Sequence, residues 1–222
     1  MSIAAIIFDY GKVLSFPPSQ ADWQHLAAPF GASLEVFDEH YWRCRPDYEC
    51  GKIDGAEYWR QVAKSFGISL SAQQIENLVL WDSEQWATGN PEMIDFARRV
   101  HASGLKTAIL SNMQHELYAF MIQRLPWLDE GIFDVQCYSH LAGIAKPDVK
   151  IYTDLCAQLA VDPAQALFLD DKQPNIDGAR AAGLQAELFT GDRQAVERYL
   201  ASQGVTLKDI DSKEVATAGS AR

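Results

Sequence analysis

Along the chain, short and uniformly apolar runs alternate with longer stretches in which apolar residues recur every three or four positions. A short apolar run bounded by turn formers reads as a buried strand, and the three-to-four repeat reads as one face of a helix. Strands are accordingly expected near residues 6–8, 106–110, 135–138, 166–169 and 186–189. Between them lie helical patterns. Asn90-Pro91-Glu92 opens one that Gly104 closes, and others cover 114–124, 150–159, 176–182 with Gly183 as the stop, and 193–202. Strands that alternate with helices build βαβ units, so the fold class expected is α/β: a Rossmann-like parallel sheet flanked by helices on both faces.

Residues 19–82 break that alternation. They carry helical periodicity without a convincing strand, and Ser33, Asp54 and Ser71 stand where N-caps are needed; Asp54-Gly55-Ala56-Glu57 has the spacing of a capping box. A helical block set between the first strand and the rest is an insertion, an all-helical cap. The expected division is a core of 1–14 and 89–207, a cap of 15–88, and a small, polar, loosely ordered tail of 208–222.

Composition narrows the class of function. A chain of 222 residues, 48% of them hydrophobic, can bury a full core, and a formal charge of -11 with no cluster of Lys or Arg argues against nucleic-acid binding. No run of about 18 apolar residues is long enough for a membrane span, and the first residues lack the basic and apolar regions of a signal peptide, so a cytoplasmic protein with a small-molecule partner is expected. Cys44, Cys50, Cys137 and Cys156 show no CxxC spacing, and the five histidines show no ligand spacing, which leaves thiols that are buried or half-buried and no zinc site.

In a parallel sheet of this kind ligands gather at the carboxyl ends of the strands. The first strand runs into Asp9, the second ends in Ser111-Asn112, a later one ends in Asp170-Asp171, and Lys146 precedes the helix near 150. Three carboxylates, a hydroxyl and an ammonium thus converge on one rim. Taken singly each has a plainer reading: Asp9 as a turn residue, Ser111 as an N-cap, Lys146 as a solvated lysine, Asp170 and Asp171 as caps of the next helix. Adjacent acids at a buried strand end nevertheless repel unless a cation is present. Asn175 either orients Asp171 or caps the helix from 176. In the cap, Trp42 reads as core and Arg43 as solvated, while Arg45 and Tyr48 are candidates to reach the substrate.

"FDYGKVL", "AILSNM", "GIAKPDVKIY" and "FLDDKQPNIDGARAAG" arrive in that order, each at a strand end. In this the chain resembles the haloacid dehalogenase superfamily, in its branch of phosphatases with a small helical cap, and is similar to glucose-1-phosphatase-like members. The resemblance implies Asp9 as nucleophile, Ser111 as phosphate ligand, Lys146 as the neutralising cation, and Asp171 as a Mg²⁺ ligand with Asp170 holding its waters. Asp9 and the Gly11 carbonyl would complete the metal set, with Asn112, Tyr10 and Arg45 as further substrate contacts. Phosphoryl transfer is mostly positioning and charge neutralisation, which is what a metal and a lysine supply.

One position departs from the resemblance. Most phosphatases of the superfamily carry a second aspartate two residues after the nucleophile, as general acid and base, where this chain has Gly11; Lys12 stands where glycine is common. The expected function is therefore a Mg²⁺-dependent phosphatase of a small phosphorylated metabolite, with a sugar 1-phosphate as the narrower expectation because its leaving oxygen is the more acidic. The alternatives are a catalytically retired phosphate-ligand binding protein and a haloacid dehalogenase. Dehalogenases of the superfamily lack the paired acids, so Asp170-Asp171 favours phosphate over halide chemistry.

Overall fold

The computed structural model of the protein describes residues 2–209, and the expected tail lies outside the described residues beyond position 209. In chain order the elements are β1 (Ala5–Phe8), α1 (Gln20–Ala27), α2 (Leu34–Glu49), α3 (Gly55–Ser65), α4 (Ala72–Trp86), α5 (Pro91–Ala102), β2 (Lys106–Ser111) and α6 (His115–Arg124). They continue with β3 (Val135–Tyr138), a single turn α7 (Ser139–Ala142), α8 (Val149–Leu159), β4 (Ala166–Asp170), α9 (Gln173–Ala181), β5 (Gln185–Leu188) and α10 (Arg193–Ser202).

The five strands are all parallel, in the order β3-β2-β1-β4-β5. Both faces are covered, which is why the strands read as unbroken apolar runs instead of alternating ones. Ile6, Phe8, Ile109 and Leu169 turn to one face and pack with Phe96 and Val100 of α5 and Leu200 of α10. Ile7, Ala108, Leu110 and Phe168 turn to the other, against Ile151 and Leu155 of α8 and Ile176 of α9. Strand order reverses between β1 and β4, so the crevice at their carboxyl ends is where such a sheet takes a ligand. Asp9 follows β1 directly and Asp170 ends β4, which sets the two carboxylates on either side of that crevice.

Helices α1 to α4 form the insertion and have a core of their own, with Phe37, Tyr41, Tyr58, Trp59 and Leu78 buried together. Their start signals behave as the side chains dictate. Ser71 and Gln74 make a full capping box, as do Ser19 and Asp22, and Ser33 accepts from Val36 N. Asp54 makes only half of one: its carboxylate accepts from Glu57 N, but Glu57 instead accepts from Gln61 Nε2 at 3.1 Å and never reaches back. The chain leaves and re-enters the sheet domain through two paired segments, with Phe16 N donating to Thr88 O and Asn90 N donating to Leu14 O, both at 2.8 Å.

Among the described residues no helix is long and apolar enough to cross a membrane. Two elements begin where the sequence pattern was silent. Helix α9 starts at Gln173, ahead of the apolar repeat, because Pro174 fits a first turn that has no partner for its missing N–H. The backbone after Asp9 makes one wide turn, Tyr10–Leu14, with Lys12 in the left-handed region at φ 61°.

Helix α9 also holds the segment that precedes α8. A Cβ on Gly178 would stand 2.5 Å from the Pro147 carbonyl oxygen and 2.8 Å from Pro147 Cβ, so only glycine admits this approach. Gly178→Ala should therefore push Pro147, and Lys146 with it, off the sheet. Urea unfolding should show a loss of about 1–3 kcal/mol, the usual result of forcing a methyl into packed backbone; an unchanged midpoint would mean that α9 shifts without strain.

Candidate functional site

Where β1 ends, the Asp9 carboxylate folds back on its own chain, and Oδ1 accepts from Tyr10 N at 2.7 Å. The same oxygen lies 2.8 Å from Lys146 Nζ, which also donates to Asp170 Oδ2 at 2.6 Å and to the Leu110 carbonyl at 2.9 Å. Only 1% of the Lys146 side chain is exposed. Its backbone is clamped as well: Asn112 Oδ1 accepts from Lys146 N at 2.8 Å and Asn112 Nδ2 donates to Lys146 O at 2.9 Å. Asn112 is thus turned toward the lysine's main chain. Ser111, at the end of β2, is buried on the same rim, and among the described residues its hydroxyl has no partner.

Asp170 is fully buried and saturated, accepting from Lys172 N at 2.8 Å and from Asn175 Nδ2 at 2.9 and 3.0 Å besides Lys146. Asn175 therefore neither orients Asp171 nor caps α9; it lies within the first turn of the helix and fixes Asp170. Asp171 is more open, and Lys12 Nζ sits 3.1 Å from its Oδ2. Lys12 remains half-exposed, with its backbone in the left-handed region.

Burial pushes the Asp9 carboxyl up to about 7; Lys146 pulls it down, and Asp170 and Asp171 push it up further. Burial also works against the charge of Lys146, but Asp170 and Asp9 outweigh it and hold its ammonium above the ordinary value. Oxygens of Asp9, Asp170 and Asp171 lie within 4.8 Å of one another. A set of hard carboxylate oxygens, with the Gly11 carbonyl in the adjoining turn, suits a hard divalent cation, and the close Lys12 ammonium shows that the cluster attracts positive charge.

The insertion closes over this rim and leaves a cavity of about 230 Å³. Asp9, Ser111, Lys146 and Asp171 form its floor; Tyr10, Trp42, Trp86 and Leu117 make its apolar walls; Arg45, Glu49 and Gln114 stand at its inner side. Arg45 is held away from free solvent, with Nη1 2.6 Å from Asp82 Oδ2 and Nε 3.1 Å from Glu49 Oε1. Asp82 is itself buried and accepts from Tyr41 Oη at 2.6 Å.

One reading of the cap is corrected and another extended. Tyr48 does not face the cavity: it is buried against Tyr58, ring centroids 4.5 Å apart, inside the cap core. Trp42 packs against the cap core as expected and, half-buried, also lines the cavity, with Lys172 Nζ 4.4 Å from its ring centroid. Arg43 is solvated, paired with Glu39. Sequence reasoning missed Glu49, Trp86 and Gln114. Glu49 shares a helical face with Trp42 and Arg45 at spacings of three and four, a signal that was present but had no direction until the cap was docked.

In the metal-free protein the raised Asp9 carboxyl has a definite effect on stability. The unfolded group titrates near 3.8 and the folded one near 7, so its contribution is full below the first value and is lost as pH rises through the second. In EDTA, wild-type melting temperature should fall between about pH 4 and about pH 8 by more than that of Asp9→Asn, whose side chain does not titrate. Parallel curves for the two proteins would show that Asp9 keeps its charge throughout.

Comparison with known proteins places the chain in a family. A family model described as haloacid dehalogenase-like hydrolase matches residues 4–183. Phosphatase MT3486 of Mycobacterium tuberculosis is 28% identical over 216 residues, spanning 93% of this chain and 98% of its own. (S)-2-haloacid dehalogenase 1 of a Pseudomonas species is 29% identical over 136 residues, 58% of each chain. A family enzyme from Bacteroides thetaiotaomicron, solved in complex with magnesium and inorganic phosphate, superposes with a TM-score of 0.68 at 18% identity, covering 88% of this chain and 98% of that one. With the family model covering most of the sheet and all of the rim residues, the chain belongs to the haloacid dehalogenase-like hydrolases.

Proposed function

We propose that the protein is a Mg²⁺-dependent phosphatase acting on a small phosphorylated metabolite, with Asp9 as nucleophile. The observation that carries this reading is the buried ammonium of Lys146 held between Asp9 and Asp170 beside the Asp9–Asp170–Asp171 oxygen cluster. Such an arrangement has positive charge ready for a phosphoryl group and an oxygen nucleophile at its edge. The phosphatase name of the Mycobacterium relative and the magnesium and phosphate in the Bacteroides structure support it.

Mg²⁺, when bound by Asp9, Asp171 and the Gly11 carbonyl, would supply charge neutralisation on the phosphoryl oxygens. Lys146 and the Ser111 hydroxyl bind the remaining oxygens, and Asn112 keeps Lys146 in register. An Asp9 carboxylate oxygen attacks phosphorus, the ester P–O bond breaks, and the leaving oxygen takes up a proton. Water then attacks the aspartyl-phosphate, freeing phosphate and regenerating Asp9. The closed cap excludes bulk water from the intermediate and limits the substrate to what the cavity holds.

With p-nitrophenyl phosphate and Mg²⁺, turnover should be measurable and should fall about 10³-fold or more in Asp9→Asn. Asp171→Ala should fold normally and remain inactive even at raised Mg²⁺. Full activity in EDTA would refute the metal's role and bring forward the dehalogenase reading, which the Pseudomonas relative keeps in view. Gly11 is the observation that favours a retired ligand-binding protein, and tight phosphate binding without turnover would establish that reading.

Gly11 also bears on the substrate. Lacking a carboxyl there, the protein forgoes a general-acid contribution typically worth about 10²- to 10⁴-fold, so phosphates with acidic leaving oxygens, such as sugar 1-phosphates, should be preferred to 6-phosphates. The backbone at Gly11 (φ -63°) suits any residue, and a Cβ there would meet Trp86 at an ordinary 3.7 Å, so Gly11→Asp can be made without strain. In single-turnover measurements across a leaving-group series, the wild type should depend steeply on leaving-group acidity and Gly11→Asp weakly. A flat wild-type series would mean that another acid serves.

A further inference from the structure

Glu49 is the one carboxylate in the cavity that neither the sheet nor the proposed metal accounts for. It ends α2, on the same face as Trp42 and Arg45, and faces the phosphate-binding floor across the cavity. One of its oxygens accepts from Arg45 Nε at 3.1 Å; the other has no hydrogen-bond partner among the described residues. An acid so placed is poorly suited to structure alone, since Arg45 is already anchored by Asp82 at 2.6 Å. It is equally unsuited to the phosphate, which it repels.

We propose, building on the phosphatase reading, that the second Glu49 oxygen accepts a hydrogen bond from a hydroxyl of the leaving group and so selects phosphates of compact, hydroxylated molecules over those of apolar alcohols. Three observations give the class. First, Arg45 already donates to one oxygen at 3.1 Å, and although Arg45, Lys172 and Lys146 favour the charged form, burial prevails and holds the Glu49 carboxyl above its ordinary range; a hydroxyl, which can donate to a carboxylate and accept from a carboxylic acid, suits it in either form, whereas a further cation suits only the first. Second, the walls beside it, Trp42, Trp86 and Leu117, give a carbon skeleton apolar surface while Glu49 and Gln114 supply the polar contacts, the usual division of labour in a specific small-molecule site. Third, the cavity of about 230 Å³ lies below the range of about 300–1,000 Å³ that drug-sized ligands occupy. An apolar alcohol of matching size would strip Glu49 of water and return nothing, and sites built to bind a hydroxyl discriminate strongly against such analogues.

The test compares matched esters that differ only in hydroxyls: glycerol 3-phosphate against propyl phosphate, and a hexose phosphate against cyclohexyl phosphate, each with Mg²⁺ and the full chain. The readout is the ratio of kcat/KM within each pair, because any general disturbance of the cap cancels in it. Wild type should prefer the hydroxylated member, and Glu49→Leu should lower the ratio by about 10- to 100-fold, the range for a hydrogen bond to a charged group. Glu49→Gln, which keeps the shape and one acceptor oxygen, should retain part of the preference and guards against a folding defect in the leucine variant. Binding of the same esters to Asp9→Asn, followed by calorimetry, reads this contact without turnover. Absence of hydrolysis would then overturn the phosphatase reading alone. Ratios near one in the wild type, or ratios unmoved by both Glu49 variants, would overturn the proposal. A preference for 3-aminopropyl phosphate over both members of its pair, lost in Glu49→Leu, would overturn it in favour of an ammonium ligand.

Discussion

The site depends on one buried cation. Lys146 enters the gap between β1 and β4 at the point where strand order reverses, and its ammonium bridges Asp9 and Asp170. Without it two carboxylates would face each other in a poorly solvated crevice, a situation that proteins avoid by protonation or by binding a cation. With it, Asp9 is held by a strong donor yet remains hard to ionise, a tension that burial creates and a second cation would relieve. The surrounding structure serves to keep that ammonium in place: Asn112 holds its backbone, the Leu110 carbonyl takes its third proton, and α9 packs tightly on the residue that follows.

The insertion contributes a second buried ion pair of a different kind. Arg45 and Asp82 tie α2 to α4 beneath three tyrosine rings, and Gln114, from the sheet domain, donates to the same Asp82 at 3.4 Å. Gly55 N, at the start of α3, donates to Glu116 Oε1 of α6 at 2.6 Å. A pair buried in this way adds little net stability, but removing either partner is costly, so it fixes orientation more than it strengthens the fold. Its effect here is to present one face of α2 to the rim at a set distance.

What could be read from the sequence was whatever is encoded within a few residues. The strands, the caps at Ser33 and Ser71, and the acids at strand ends follow from local periodicity and from the rule that ligands meet parallel strands at their carboxyl ends. Residues whose meaning depends on a distant partner were read less well. Arg45 stood out by its charge, but its partner Asp82 is 37 positions away. Trp42 reads as cap core and does pack there, but neither its place on the cavity wall nor that of Glu49 can be read from α2 alone. Both acquire a role only from the docking of one domain on the other. Asn175 reads as a partner of Asp171 or as a helix cap, and only the fold, which buries Asp170 at the end of β4 and leaves Asp171 at the rim, brings it to the first acid.

The paired neck through which the insertion leaves and returns carries an implication for the chain as a polymer. Because Leu14, Phe16, Thr88 and Asn90 fasten its two ends side by side, the sheet domain experiences the whole insertion as a single closed loop. Closure entropy rises only logarithmically with loop length, about 0.6 kcal/mol for each doubling, which is less than burying one methylene group contributes. Elaborating or replacing the helices that choose a leaving group therefore leaves the free energy of the sheet, and the spacing of its three carboxylates, almost untouched. Chemistry and selectivity can in this way drift independently on one chain.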